Sequence, residues 1–272
     1  MGNNIIELKH VSAGYGKFKT ENVDEDALVI KDLSLDIPEG RSVCLLGPNG
    51  CGKTTLLRVI AGMLPANGEI LVDGKDIKTI KRKETASYIS FLSQMTQVYF
   101  SYSVYETVMQ GRYVHGGSFF SKAASRDKEI VEQTLEALGL QDLAKQQITT
   151  LSGGQLQRVM LARCIAQESP VLILDEPMNH LDMKIQSEFI DYLMKWREKP
   201  VKMDGKREYN PTLIGVFHDI NIAAYIADDV ALISEGKLLA FGAKKDVLTE
   251  DLLKKTYQFD VAEYLRKYAI SQ

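Results

Sequence analysis

The stretch GPNGCGKTT, residues 47–55, decides the fold class of this chain. It follows the continuous apolar run SVCLL and leads into TLLRVIAGML, which has the spacing of a helix. A glycine, four variable residues and then Gly-Lys-Thr, placed between a buried strand and a helix, form the pattern of a phosphate-binding P-loop. Glycines let successive backbone N–H groups turn toward phosphate oxygens, and the helix N-terminus adds a favourable partial charge. The pattern predicts a nucleoside triphosphate site in an α/β protein.

Two residues of this loop carry the expected chemistry. Lys53 is expected to bind the β- and γ-phosphates, and Thr54 to ligate Mg²⁺. The alternative is a chance match, which four fixed positions would give in roughly one chain in a hundred of this length. The glycines do not form the GxGxxG fingerprint of a dinucleotide site, and no acidic residue follows at the end of a second strand. A nucleoside triphosphate is therefore favoured over a dinucleotide.

A second motif, VLILDEP at residues 171–177, ends an apolar strand with two carboxylates. Ligands of a parallel α/β sheet gather at the carboxyl ends of its strands. Asp175 is expected to hold Mg²⁺, usually through water, and Glu176 to act as the general base that polarises the attacking water. The alternative is that the pair only caps a helix ahead of Pro177. Beside a P-loop, the catalytic interpretation is favoured.

The composition is that of a globular protein and argues against several other classes. The chain has 272 residues, of which 45% are hydrophobic and 25% charged, enough for one large α/β domain with a subdomain. A net charge of −3 gives no electrostatic reason to expect nucleic-acid binding. No apolar run approaches the roughly 20 residues of a membrane span, and the polar first residues do not match a signal peptide. The three cysteines form no disulfide framework, so a cytosolic chain is expected.

The stretch LSGGQ, residues 151–155, completes a set of motifs in a recognisable order. Together with GPNGCGKTT, VLILDEP and a histidine after the apolar run TLIGVF, it gives the chain a resemblance to the ABC ATPase family. The resemblance covers essentially the whole chain. Ser152, Gly153 and Gly154 are expected to open a helix whose N–H groups and hydroxyl can bind phosphate. Taken alone, the same residues could serve only as a helix cap.

The resemblance implies a fold and an assembly. The fold is α/β, an ABC-type nucleotide-binding domain with a RecA-like core, an antiparallel β-subdomain and an inserted helical subdomain. Residues 1–93 and 167–272 form the core with the β-subdomain and a C-terminal extension, and residues 94–166 hold the Q-loop and the helical subdomain. Two subunits close as a homodimer around two ATP molecules, each signature facing the other subunit's P-loop. The signature residues expected to act in trans are Leu151, Ser152, Gly153, Gly154 and Gln155.

The resemblance also assigns roles to residues outside these motifs. Gln94 matches the Q-loop, which contacts Mg²⁺ or water, and Asp182 in the D-loop helps to couple the two ATP sites. His218 matches the switch histidine that holds γ-phosphate, water and Glu176, with a structural histidine as the alternative. Tyr15 matches the aromatic residue that stacks on adenine, with core packing as the alternative.

These assignments give three groups of site residues. The residues expected to bind ATP are Tyr15, Gly47, Pro48, Asn49, Gly50, Cys51, Gly52, Lys53, Thr54 and Thr55. Those expected at Mg²⁺ are Thr54, Gln94 and Asp175. Those expected in catalysis are Glu176, His218, Gln94 and Lys53.

The segment YSVYETVMQGRYVH, residues 102–115, resembles the corresponding region of ATPases from iron-siderophore, haem and vitamin B12 importers. Gly111, Arg112 and His115 carry this narrower resemblance. It implies ATP-driven uptake of a metal chelate through two transmembrane permease subunits, with an extracytoplasmic substrate-binding protein that supplies the cargo. The chain would lie at the cytoplasmic face of the membrane, with Arg112 and His115 in contact with the permease. The alternative is that these two residues only pack the helical subdomain.

Two other functions share this chemistry, namely mechanical ABC ATPases of DNA repair or translation, and exporters. Mechanical ATPases usually carry a long coiled coil between P-loop and signature, or fuse two ATPase halves, whereas here about a hundred residues separate the two motifs. Insertions at residues 17–28 and 197–211 depart from the family pattern. The second has an Asp-Gly hairpin signal, and its polarity predicts a surface position. Residues 257–272 are interpreted as one terminal helix.

Overall fold

The computed structural model describes residues 3–15, 28–93, 101–116, 122–179, 181–203 and 207–268. The chain divides into two compact units. Unit 1 comprises residues 1–79 and 214–272, and unit 2 comprises residues 80–213. Within the described ranges, no helix combines the length and the apolar character that a membrane span requires.

Strands and helices alternate along most of the chain. In chain order the strands are β1 (Asn4–Gly14), β2 (Leu28–Pro38), β3 (Ser42–Leu46), β4 (Asn67–Val72), β5 (Lys75–Asp76), β6 (Ile89–Leu92), β7 (Val171–Asp175), β8 (Val201–Lys202), β9 (Glu208–Tyr209), β10 (Thr212–Val216), β11 (Asp229–Ser234) and β12 (Lys237–Ala243). The α-helices are α1 (Lys53–Ile60), α2 (Arg82–Tyr88), α3 (Val104–Met109), α4 (Lys122–Ala137), α5 (Gly153–Ala166), α6 (Met183–Arg197), α7 (Ile220–Ile226), α8 (Lys244–Val247), α9 (Glu250–Tyr257) and α10 (Val261–Tyr268). The boundary between the units falls inside β10.

Unit 1 contains an antiparallel sheet in the order β2-β1-β4-β5. Leu8 of β1 lies opposite Leu35 on one side and Ile70 on the other, and all three side chains are buried. Burial alternates along β2, as expected of a strand with one face on the core and one in water. This sheet matches the expected β-subdomain in its strand direction.

Unit 1 also contains the strand that leads into the P-loop. All five residues of β3 are buried, and β3 runs parallel to β11, which pairs antiparallel with β12. Arg41 stands just before β3, and its guanidinium donates two hydrogen bonds to Asp229, of 2.7 and 2.6 Å. This bidentate pair sets the start of β3 against the start of β11. The continuous apolar run is thus a buried parallel strand, as its sequence predicts.

Unit 2 combines helices with the parallel pair β6 and β7. Phe91 lies opposite Ile173 in this pair, and β7 is buried throughout. Helix α5 packs against α3, α4 and α6. Helix α3 begins with a capping box in which Ser103 and Glu106 exchange hydrogen bonds with each other's backbone N–H groups.

The segment 197–211 forms the predicted hairpin. The prediction that the segment lies at the surface is wrong for several of its apolar side chains, which are buried. Strands β8 and β9 pair antiparallel, and the turn signal at residues 204–205 lies outside the described residues. Val201, Met203 and Tyr209 are buried, and the ring of Tyr209 meets the edge of Tyr88 at 6.1 Å. Because alternate residues of a strand point to opposite faces, a polar segment can still bury one face.

The predicted terminal helix, residues 257–272, is present as α10, which begins at Val261 rather than at residue 257. Helix α9 ends at Tyr257, and Gln258 adopts a left-handed backbone with φ 54°. Asp260 then accepts a hydrogen bond from the backbone N–H of Glu263 at 2.9 Å, at the start of α10. A left-handed residue ends a helix, so the chain must begin a new one.

Candidate functional site

The P-loop connects β3 to α1 and encloses a lysine. The side chain of Lys53 is buried, and its Nζ donates hydrogen bonds to the carbonyls of Gly47 and Pro48, both at 2.8 Å. The ammonium therefore lies within the loop that residues 47–52 form, at the N-terminus of α1. This is the arrangement that phosphate binding requires, since a cation and a helix N-terminus face the same space.

Two glycines of this loop are required by close contacts. Gly47 has φ 155°, and a Cβ placed there would lie 2.0 Å from the carbonyl oxygen of Ile233. Gly52 has φ 106°, and its Cβ would lie 2.7 Å from Cδ1 of Ile30. The backbone N–H of Gly236 also donates to the carbonyl of Cys51 at 3.1 Å. The loop is therefore held by β2 and by the β11–β12 turn.

The cysteine inside the loop is a protonated thiol rather than a reactive thiolate. Burial raises the pKa of Cys51, and the nearby Lys53 ammonium only partly opposes this. Burial also raises the pKa of Cys164, to about 11, and Cys44 is buried as well. Because the thiolate is the reactive form, Cys51 is expected to be slow toward thiol reagents at neutral pH.

Tyr15 lies beside the first turns of α1. Its hydroxyl accepts hydrogen bonds from Arg58 Nη1 at 3.1 Å and from Thr55 Oγ1 at 3.4 Å. The residue is 55% exposed, which excludes the alternative that it packs in the core. Nearly all of the predicted insertion 17–28, which follows Tyr15, lies outside the described residues. An exposed ring next to the P-loop helix is available for stacking on a base.

His218 follows the buried strand β10 and is exposed. Its neighbour Asp219 caps α7 by accepting hydrogen bonds from the N–H groups of Asn221 at 2.7 Å and Ile222 at 3.4 Å. Because His218 is exposed, the alternative of a structural histidine in the core does not hold. The imidazole is accessible from solvent.

The carboxylate pair lies at the end of β7 in unit 2. Asp175 is the last residue of the strand and is buried. Glu176 has a left-handed backbone with φ 51°, and its Oε2 accepts a hydrogen bond from Asn179 Nδ2 at 2.7 Å. Residues 176–179 form a bend and turns and α6 begins only at Met183, so the pair does not cap a helix there.

The signature forms the start of α5, as its residues predict. Ser152 is the N-cap, its hydroxyl accepts from the N–H of Gln155 at 3.3 Å, and Gln155 Oε1 accepts from the N–H of Ser152 at 2.9 Å. A Cβ at Gly154 would lie 3.1 Å from Cγ2 of Ile185. Asp182 caps α6 by accepting from the N–H of Ile185 at 3.0 Å. Ile185 thus brings the signature and the D-loop together, a contact that no sequence motif indicates.

Arg112 does not have the surface position that a direct permease contact needs, so that prediction is wrong. The side chain is 4% exposed and donates hydrogen bonds of 2.9 Å each to Asp127 and Glu168. Gly111 packs so closely that a Cβ would lie 2.3 Å from the carbonyl oxygen of Arg163 in α5. Nη1 of Arg112 also donates a hydrogen bond to the carbonyl of Ala166, the last residue of α5. These three acceptors explain why an arginine stands here. The packing alternative is the correct one for Arg112.

Two residues of the predicted motifs, in the Q-loop and the D-loop, lie outside the described residues. They are Gln94 and His180. His115 is half-buried, and its Nε2 lies 2.7 Å from the carbonyl oxygen of Gln167. Lys53, Tyr15 and His218 belong to unit 1, whereas the carboxylate pair, the signature and the D-loop belong to unit 2.

Comparison with known proteins identifies the family. The model of the family described as "ABC transporter" matches residues 30–179, which is more than half of the chain. The chain belongs to the ABC transporter family. The predicted ABC fold is therefore confirmed, and so is the prediction of a transporter subunit that binds and hydrolyses ATP.

Individual ABC proteins show similarity over nearly all of the chain. The chain is 35% identical to the "Ferric enterobactin transport ATP-binding protein FepC" of Escherichia coli (strain K12), covering 94% of this chain and 89% of that protein. It is 34% identical to the "Probable siderophore transport system ATP-binding protein YusV" of Bacillus subtilis (strain 168), covering 96% and 88%. A solved "inward-facing conformation of a putative metal-chelate type ABC transporter" has 29% identity and a TM-score of 0.74, covering 95% and 90%. The predicted resemblance to siderophore importer ATPases is confirmed.

Proposed function

We propose that this ABC ATPase drives the import of a metal chelate of the iron-siderophore class. The observation that carries the proposal is the extent of similarity to ATP-binding subunits named for siderophore transport, which covers 94% and 96% of the chain. The similarity therefore extends well beyond the motifs that all ABC ATPases share. Cargo is recognised by other subunits, so the chemical class rests on these relatives.

The residues around the P-loop support a nucleotide site built as the sequence predicts. Lys53 binds the β- and γ-phosphates, and the backbone N–H groups of the loop bind further phosphate oxygens. Tyr15 stacks on adenine, for which its exposed ring supplies a face. In the partner subunit's site, the signature N–H groups at the start of α5 complete the binding of γ-phosphate.

The side chains assigned to Mg²⁺ carry oxygen atoms, which are the ligands that this ion prefers. Thr54 stands in the first turn of α1 and Asp175 at the carboxyl end of β7, and both supply oxygen ligands. Mg²⁺ in nucleotide sites uses one or two protein oxygens together with phosphates and water. When bound, Mg²⁺ neutralises charge on the phosphates. Gln94 is assigned to the same ion or to the attacking water.

Hydrolysis depends on a carboxylate and a histidine. Glu176 takes a proton from the attacking water, and His218 holds that water and γ-phosphate in position. The hydrogen bond from Asn179 fixes the carboxylate of Glu176. Catalysis is mostly positioning and charge stabilisation, as in other phosphoryl transfer reactions.

The assembly that we propose is a homodimer with two permease subunits at the cytoplasmic face of the membrane. An extracytoplasmic binding protein supplies the cargo. Asp182 couples the two ATP sites. Residues 94–166 form the helical subdomain, and the presence of α3, α4 and α5 in this range supports that assignment. In the segment 102–115, Tyr113 is 65% exposed and is a candidate for contact with a permease. His115 remains a second candidate for this contact.

Lys53→Ala tests the nucleotide site. Hydrogen bonds to charged groups contribute about 1.5–3 kcal/mol, so ATP is expected to bind about 10- to 100-fold more weakly. Isothermal titration with MgATP measures this change. Lys245→Ala, an exposed lysine of α8 in the same unit, is the matched control and should bind ATP as the wild type does. Wild-type affinity in Lys53→Ala would reject the P-loop as the ATP site.

A further inference from the structure

A tyrosine far outside the family motifs contacts the first residue of the P-loop. The hydroxyl of Tyr257, in α9, accepts a hydrogen bond from the backbone N–H of Gly47 at 3.2 Å. The two residues are 210 positions apart in the chain, and Tyr257 lies beyond the residues 30–179 that match the family model. Neither composition nor spacing indicates this contact, and so the sequence does not predict it.

The end of α9 is held firmly enough to place this hydroxyl. Thr249 caps the helix by accepting from the N–H of Leu252, and Leu253 and Thr256 are buried. Thr256 Oγ1 also donates to the carbonyl of Leu252 at 2.7 Å. Tyr257 is the last residue of α9 and directly follows the buried Thr256, so the backbone that carries its side chain is anchored.

The hydroxyl of Tyr257 stays neutral at physiological pH. Burial raises the pKa of this phenol, the N–H of Gly47 opposes that shift, and the charge that Cys51 would carry as a thiolate adds to the increase. A phenol whose pKa lies above its ordinary value of about 10 remains protonated at pH 7. Its oxygen can therefore accept the hydrogen bond from Gly47 without carrying a charge into the phosphate site.

Gly47 is the point at which the loop is most restricted. It follows the last residue of β3, where the strand pairing with β11 ends. The carbonyl of Ile233 lies close to one side of its Cα, and Tyr257 takes the hydrogen of its amide. These two contacts fix the direction in which the chain enters the P-loop. The position of Gly47 therefore affects how the following loop amides are placed toward a bound phosphate.

We infer that Tyr257 is a positioning residue for the P-loop, and that its hydroxyl raises the affinity for the phosphates of ATP by fixing Gly47. The inference rests on the proposed ATP site. Removal of the hydroxyl leaves a partly buried N–H donor without this partner, and the loop must move to satisfy it. Tyr257 contacts no reacting atom, so its effect falls on binding of ATP rather than on the chemical step.

Tyr257→Phe in the full-length chain tests this inference, because it keeps the ring and removes only the hydroxyl. The expected result is a rise of about five- to tenfold in both the Kd for MgATP and the KM for ATP, with kcat changed by less than about twofold. Tyr264→Phe is the matched control, since it removes the hydroxyl of a half-exposed tyrosine in the neighbouring helix α10. This control should match the wild type in Kd, KM and melting temperature.

Three results would overturn the inference, and they are distinguishable from one another. Wild-type Kd and KM in Tyr257→Phe, together with weak binding in Lys53→Ala, would reject the role of Tyr257 and leave the ATP site intact. A fall in kcat and melting temperature with unchanged KM would show a purely structural role. Wild-type ATP affinity in Lys53→Ala would reject the proposed site and the inference with it.

Discussion

Glu176→Gln is expected to hydrolyse ATP at least about 100-fold more slowly than the wild type, with ATP affinity retained. A general base contributes roughly 10²- to 10⁴-fold to a rate, and glutamine cannot accept the proton of the attacking water. Glutamine has the size of glutamate, and its Oε1 can still accept the hydrogen bond that Asn179 donates at 2.7 Å. The loss should therefore appear in kcat and not in binding.

The measurement is steady-state release of phosphate from MgATP, with dimer formation followed by light scattering. Slow hydrolysis should let an ATP-bound dimer accumulate. Glu136→Gln is the matched control, because Glu136 is an exposed glutamate of α4 in the same unit as Glu176. The control should hydrolyse ATP at the wild-type rate. Unchanged hydrolysis in Glu176→Gln would reject Glu176 as the base.

Arg112→Met is expected to lower the free energy of unfolding by about 3 kcal/mol. Removal of one partner from a buried ion pair costs roughly 3–5 kcal/mol, because the other charge stays buried without compensation. Asp127 is the carboxylate that would stay buried without its partner, since it is itself buried and its Oδ1 lies 2.9 Å from Nε of Arg112. Methionine fills the volume of the aliphatic part, so the loss reflects the charge and not a cavity.

Thermal unfolding measures this effect, with an expected fall of roughly 6 to 12 °C in the apparent Tm. Arg126→Met is the matched control. Arg126 lies 3.8 Å from the same Glu168, but its side chain is 48% exposed, and exposed pairs contribute about 0–1 kcal/mol. The control should lower Tm by no more than about 4 °C. Equal Tm values for the two variants would contradict the assignment of Arg112 as a buried structural residue.

Features that depend on neighbouring residues in the sequence were predictable. The P-loop, the buried strand β3 and the cap at Ser152 each depend on a few consecutive residues, and the structure has them as expected. Local hydrogen bonds and alternation of apolar residues determine such features without help from distant parts of the chain.

Features that depend on tertiary contacts were missed. Arg112 is polar and stands in a segment with a functional resemblance, yet its acceptors come from α4 and the end of α5. Tyr209 lies in a polar insertion, yet it is buried and its ring contacts that of Tyr88, 121 residues away in the chain. Tyr257 meets Gly47 across 210 residues. No local pattern encodes these partners, because packing in three dimensions brings them together.

The most direct test of the central claim is to purify the tagged, full-length chain from membranes of the cells that produce it, and to identify the bound proteins by mass spectrometry. The expected result is a polytopic permease, with ATP hydrolysis by the assembly that increases when a substrate-binding protein loaded with a ferric chelate is added. Recovery of ribosomal or DNA-repair proteins without any permease would contradict a role in import.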